Sequence, residues 1–240
     1  MDLDRTVVIT GASEEIGANL VGTFLDRGYN VVATYPQADP LSAVPHSDRL
    51  ARVDGDIADP NTARMVARTA LARFGRIDAL INGAGTFCTK PFIDYTVEDY
   101  RSLVSTNLDG FLHLTQLVVR QMLAQGTGGS IVTITSPPVD EATLGISASV
   151  AIITSGGVEA ASKTIAMAYA QDGIRVNIVA PRIAAMSFQR ATPEALLKAL
   201  PAMRGPSITK EIIDAVVFLT EAPRITGKVL HVDCATVDRW

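Results

Sequence analysis

The sequence predicts one doubly wound α/β domain over residues 1–240, with a parallel sheet of about seven strands and helices on both faces. Three observations lead there. Short β-branched runs alternate along the chain with helical patterns of ten residues or more, the order expected of βαβ units. The runs are apolar nearly throughout, as strands covered on both faces are. A chain of 240 residues with 48% hydrophobic and 19% charged side chains can bury a sizeable core.

The elements follow in order. Thr6 to Thr10 is the first strand, and Ile16 to Arg27 carries Ile16, Leu20 and Phe24 at helical spacing. Asn30 to Tyr35 and Leu50 to Val53 are strands, Asn61 to Phe74 is a helix, and Ile77 to Ile81 is a strand ending at Asn82-Gly83-Ala84-Gly85. Thr96 and Asp99 approximate a capping box for one long helix running to Ala124, before the Gly126-Thr127-Gly128-Gly129 turn. Ser130 to Thr135 is a strand, Val158 to Ala170 a helix, Arg175 to Val179 a strand, Lys210 to Leu219 a helix and Val229 to Val232 the last strand. Repeats, linkers and low-complexity segments are missing from this reading.

Composition narrows the function classes. Lys and Arg total 21 against 25 Asp and Glu, and the charges are spread rather than gathered, which argues against a nucleic-acid partner. No apolar run reaches the ~18 residues of a membrane span, and the acidic start Met1-Asp2-Leu3-Asp4 leads straight into a strand, so no membrane association and a cytoplasmic location are expected. Cys88 and Cys234, with His46, His113 and His231, have none of the spacings of a zinc site or disulfide framework, and no metal is expected.

The first strand, turn and helix read Thr10-Gly11-Ala12-Ser13-Glu14-Glu15-Ile16-Gly17, a turn of the kind whose backbone N–H groups bind a pyrophosphate at a helix N-terminus. With Asn82-Gly83-Ala84-Gly85, Asn107, Lys163 in Ala161-Ser162-Lys163, and Gly173 to Pro181, the chain resembles the short-chain dehydrogenase/reductase family over essentially its whole length. The resemblance implies a Rossmann-type fold and a nicotinamide coenzyme. It assigns Gly11, Ser13, Ile16 and Gly17 to the pyrophosphate turn, Tyr35 to the end of the second strand, and Asp56 and Ile57 to the adenine. Asn82, Gly83 and Ala84, with Lys163, Pro181 and Ile183, complete the implied coenzyme set.

The sequence departs from the family pattern at several of these places. Glu15 stands where the turn has its middle glycine, and a carboxylate ~4 Å from a pyrophosphate costs roughly 1 to 4 kcal/mol. Either Glu15 or Glu14 fills the anion site of the empty turn, or Glu15 faces solvent and caps the helix. Tyr35 replaces the acid that marks NAD, and Glu14 stands where a base marks NADP, so the choice between NAD and NADP leans only slightly to NAD. Pro181-Arg182, Met186 and Asp233-Cys234-Ala235 replace further family residues near the nicotinamide end.

The family's tetrad of Asn, Ser, Tyr and Lys, with Lys four residues after Tyr, maps Asn107, Ser136 and Lys163 here and puts Glu159 at the tyrosine position. Glu159 and Lys163 lie one helical turn apart, where they form an ion pair or, if Glu159 stays protonated through burial, a proton relay. Ser136 is 23 residues before Glu159, a longer interval than the family's, so Ser147 or Ser149 in an enlarged loop is an alternative, and Asp140 and Glu141 belong to the same loop. Cys88 borders the crevice or is an ordinary thiol.

Three functions are compatible with this pattern. The first is an oxidoreductase acting on a carbonyl or alcohol of a small, largely apolar molecule by a non-standard proton relay. The second is a coenzyme-independent isomerase, lyase or cyclase using carboxylates, principally Glu159. The third is a catalytically silent binding subunit. The resemblance also implies a homodimer or homotetramer associating through the helices at Thr96 to Ala124 and Val158 to Ala170.

Overall fold

Strand β1, Thr6–Ile9, is buried at every position and pairs in parallel with both β2, Asn30–Tyr35, and β4, Ala79–Asn82. The computed structural model describes residues 4–36, 47–135, 148–181 and 209–232. With β3 (Leu50–Asp54), β5 (Gly129–Ile134), β6 (Ile174–Pro181) and β7 (Val229–Val232), these strands make one seven-stranded sheet. Its order is β3-β2-β1-β4-β5-β6-β7 and every pairing is parallel. The direction of winding reverses between β1 and β4, which opens a crevice at the carboxyl ends of those two strands.

Alternation along the strands divides the core. Val7 and Ile9 pack with helix α1 (Glu15–Asp26) and α6 (Thr209–Glu221) on one face. Val8, Leu80 and Ile131 pack with α2 (Pro60–Phe74) and α4 (Gly110–Gln125) on the other. Local chemistry sets the helix ends. Asp59 accepts from the Asn61 N–H at 2.8 Å, Pro60 occupies the first turn, and Gly75 closes α2 with φ +76°.

Two helices differ from the sequence expectation. The helix expected to run unbroken from Thr96 is α3, Val97–Val104, then a π-helical turn, Ser105–Asp109, then α4. Its capping box is present, with Thr96 accepting from the Asp99 N–H and Asp99 from the Thr96 N–H. The extra residue per turn rotates Asn107 out of the α-helical register toward the loop after β4, which apolar periodicity alone does not reveal. The helix expected from Val158 begins earlier: α5 spans Ser149–Ala168, and its first turns are rich in Val, Ile, Ser and Gly, weak helix formers that tertiary packing overrides. Among the described residues no helix is long and apolar enough to cross a membrane.

Candidate coenzyme cleft

The crevice above β1 and β4 is an open cleft walled by the first turn of α1, the loop after β4, the π turn, the ends of α4 and β5, and α5. Around and behind its wall the backbone has to be bare. Gly11 adopts φ +75°, and a Cβ there would lie 2.8 Å from the Ala84 nitrogen. A Cβ on Gly17 would lie 2.1 Å from the Gly11 carbonyl oxygen, and one on Gly83 2.6 Å from that of Thr10. These glycines let the first turn of α1 press against β1 and the β4 loop. Thr10 locks the arrangement: its Oγ1 accepts from the Gly83 and Ala84 N–H groups, both at 3.0 Å.

Ile16, Gly17, Asn82, Gly83 and Ala84 all line the cleft, as does Ile57. Asn82 is buried and donates to the hydroxyls of Thr115 and Thr133, so its amide clamps β4 to α4 and β5. Asn107 also lines the cleft. Its Oδ1 accepts from the Thr86 N–H at 2.8 Å while its Nδ2 donates to the Thr86 carbonyl at 2.9 Å and to Thr154 Oγ1 at 3.0 Å. One side chain thereby joins the π turn, the β4 loop and α5.

Other residues singled out in the sequence stand elsewhere. Gly11 lies behind the wall, and Ser13 is half-buried in the turn. Tyr35 is buried with the Arg52 guanidinium 4.3 Å above its ring, and this burial holds its hydroxyl above the usual phenol range. Asp56 is exposed and accepts from the Ala58 N–H at 2.9 Å, which shapes the turn that carries Ile57. Pro181 is the buried end of β6. Ser136, Ser147 and Ile183 lie outside the described residues, as do Asp140, Glu141, Arg182, Met186 and Cys234. Cys88 is half-buried, and its carbonyl accepts from the Tyr95 hydroxyl. Among the described residues no group of His, Cys, Asp and Glu is arranged to hold a metal.

Among the described residues that line the cleft, Glu159 and Lys163 are absent. They form an ion pair at 2.5 Å with half of the Lys163 side chain exposed, an arrangement worth a few tenths of a kcal/mol. The α5 residues on the cleft wall are Ser155 and Val158, which belong to the buried stripe of that helix together with Ala151 and Ser162. An i,i+4 spacing puts two residues on one face but does not choose the face; the stripe of small and apolar residues does, and it passes through Ser155, not Lys163.

The two glutamates of the turn part company. Glu15 is exposed, as one of the two sequence readings has it, and accepts from the Thr209 hydroxyl at 2.9 Å, so its carboxylate is engaged at the start of α6. Glu14 is the residue on the cleft wall. It occupies the N-cap position of α1 without a side-chain cap bond, and although it retains solvent exposure, burial by the surrounding wall raises its carboxyl above the usual range.

Known proteins agree with this architecture. The family described as short chain dehydrogenase matches residues 5–196. The D-threitol dehydrogenase of Mycolicibacterium smegmatis is 31% identical over 242 residues, 95% of this chain and 91% of that protein. The 3-oxoacyl-acyl-carrier-protein reductase of Escherichia coli is 32% identical over 239 residues, 95% of this chain and 96% of its own. Among solved structures, a short chain dehydrogenase from Leptospira borgpetersenii with bound NAD+ superposes with a TM-score of 0.80 at 26% identity, covering 96% of this chain and 91% of that one.

Proposed function

The chain belongs to the short chain dehydrogenase family, and from that membership we propose that it is a nicotinamide-dependent oxidoreductase acting on a carbonyl or alcohol of a small, largely apolar molecule. The carrying observation is the bare-backbone packing of Gly11, Gly17 and Gly83 at the point where the sheet reverses its winding. These residues fit a dinucleotide: the turn from Gly11 to Gly17 would hold the pyrophosphate, Ile57 and Asp56 the adenine side, and Asn82 to Ala84 the inner ribose. When bound, the coenzyme supplies or accepts the hydride.

The chain's own part is to position, to exclude water and to move a proton. Phe111, Ile134 and Val158 give the cleft an apolar lining that suits an apolar substrate. If a Tyr-x-x-x-Lys pair is set on the stripe of α5 that meets the cleft at Ser155, it falls on Ala151 and Ser155, so the proton relay uses hydroxyls rather than a phenol beside an ammonium. Ser155 lines the cleft and donates to the Ala151 carbonyl at 3.0 Å; Asn107 positions its neighbour Thr154, and Ser136 or Ser147 belongs to the proposed relay. Glu14 in the turn supports NAD over a coenzyme with a further phosphate. Exposed Leu112 on α4 and Ile153 and Met167 on α5 support association of the chain with itself through those helices.

The test is a titration of NADH and NADPH followed by fluorescence, then NADH oxidation with a panel of apolar ketones. Saturable binding with turnover supports the proposal, and no saturable response to either coenzyme at millimolar concentration overturns it. The same absence of phenol and ammonium at Ala151 and Ser155 favours a second reading, a dinucleotide-binding subunit without turnover, for which binding saturates and no ketone is reduced. The carboxylate-based reading is the less supported, since Glu159 is not among the described residues that line the cleft and is paired with Lys163.

A further inference from the structure

We infer that binding of the dinucleotide to this cleft takes up a proton at Glu14, so that this side chain, not Glu15, sets the pH at which the coenzyme is held. The inference rests on the coenzyme reading above and assigns the charge that governs it.

The geometry isolates Glu14. Among the described residues it is the sole ionisable side chain on the cleft wall. The β4 loop contributes Asn82, Gly83, Ala84 and Gly85; the π turn contributes Asn107; α4 contributes Gly110 and Phe111. β5 contributes Thr133 and Ile134, followed by Thr135; α5 contributes Ser155 and Val158; and the turn after β3 contributes Ile57. None of these carries charge. On α1 itself the adjacent Glu15 is engaged by Thr209, and on α6 the first charged residue, Lys210, pairs with Asp214 at 2.5 Å. The carboxyl of Glu14 thus meets no cation among these neighbours, and burial alone, with no contribution from a neighbouring charge, raises it.

A pyrophosphate laid along the turn from Gly11 to Gly17 brings two negative charges beside that carboxyl. The ionised form is then disfavoured twice, by lost hydration and by like charge, and both vanish on protonation. Reciprocity requires that whatever raises the proton affinity of Glu14 in the complex also raises the coenzyme affinity of the protonated protein. The sign is therefore fixed: Glu14 is deprotonated as pH rises through its folded-state value, and coenzyme affinity falls in the same window. The limiting slope is about tenfold in Kd per pH unit, with a plateau once Glu14 is ionised in both free and bound protein.

The experiment is calorimetric titration of NAD+ into the full chain between about pH 4.5 and 8, with Glu14→Gln and Glu15→Gln alongside, the glutamine retaining the shape of the side chain. The expected result is a Kd that rises with pH for the unaltered chain and for Glu15→Gln, and a tighter Kd independent of pH for Glu14→Gln. Far-UV circular dichroism at each pH checks that all three proteins stay folded. Equal slopes in the unaltered chain and Glu14→Gln overturn the assignment to Glu14 while leaving the coenzyme reading intact. No binding by any of the three at any pH overturns both.

Discussion

The Thr209 hydroxyl donates to the Glu15 carboxylate at 2.9 Å and so ties the start of α6 to the first turn of α1, elements 194 residues apart in sequence. This contact explains how a charged residue is accommodated where the family's turn has a glycine. The side chain reaches across to a partner on another helix, and the close approach of Gly17 to Gly11 beside it is left undisturbed.

Replacing Glu15 by glycine is accordingly expected to do little for coenzyme affinity. It removes one exposed hydrogen bond and adds backbone freedom to the first turn of α1, and the expected cost is about 1 kcal/mol of stability. Thermal melts of Glu15→Gly check the loss, and NAD+ titration checks that any gain in affinity is smaller than for Glu14→Gln.

Thr10→Val is expected to be far more damaging than Thr10→Ser. Valine keeps the shape but leaves the Gly83 and Ala84 N–H groups without their acceptor, at roughly 1 to 3 kcal/mol each, whereas serine retains the oxygen. Urea denaturation of the two variants gives the difference. Valine equal to serine in midpoint would show that the bridge across β1 and β4 contributes nothing.

The fold was legible because each strand is a buried apolar run and each break carries Gly, Pro or Asp chemistry. The paired carboxylate and ammonium on α5 were legible too, as neighbours, but their spacing does not say which side of the helix meets the sheet. Ser155 is silent in the sequence because a serine among glycines and alanines carries no charge signal, and only the stripe running through Ala151, Ser155 and Ser162 identifies its face. Asn107 is marked by the family resemblance and not by periodicity, since its π turn breaks the 3.6-residue rule on which periodicity depends. The separation of Glu14 from Glu15 depends on Thr209, a long-range partner that no local pattern announces.

The capping box of α3 is expected to open in acid. The Lys90 ammonium, followed by the Thr96 N–H, lowers the Asp99 carboxyl from 3.8 to about 2. Because the folded value is depressed, its stabilising contribution is present in full above the unfolded value and is lost as pH falls through about 2. Amide exchange at Thr96 and Asp99 is expected to accelerate in that window, and Asp99→Asn is expected to remove the dependence.

Lys163, half-exposed on α5, and Gly85, on the cleft wall, distinguish two places for the coenzyme. Lys163→Ala deletes an exposed i,i+4 pair and is expected to change stability by less than ~0.5 kcal/mol and coenzyme affinity by less than about twofold. Gly85 lines the cleft, its backbone does not need glycine, and the nearest atom to an added Cβ is Asn107 Oδ1 at 3.6 Å, so a larger side chain is tolerated by the fold and projects into the space the coenzyme needs. Gly85→Leu is therefore expected to leave the melting temperature close to that of the unaltered chain while weakening NAD+ binding by about tenfold or more, equivalent to ~1.4 kcal/mol. Paired titrations decide it. A large loss of affinity in Lys163→Ala, with none in Gly85→Leu, would move the coenzyme out of the cleft over β1 and β4 and onto the outer face of α5.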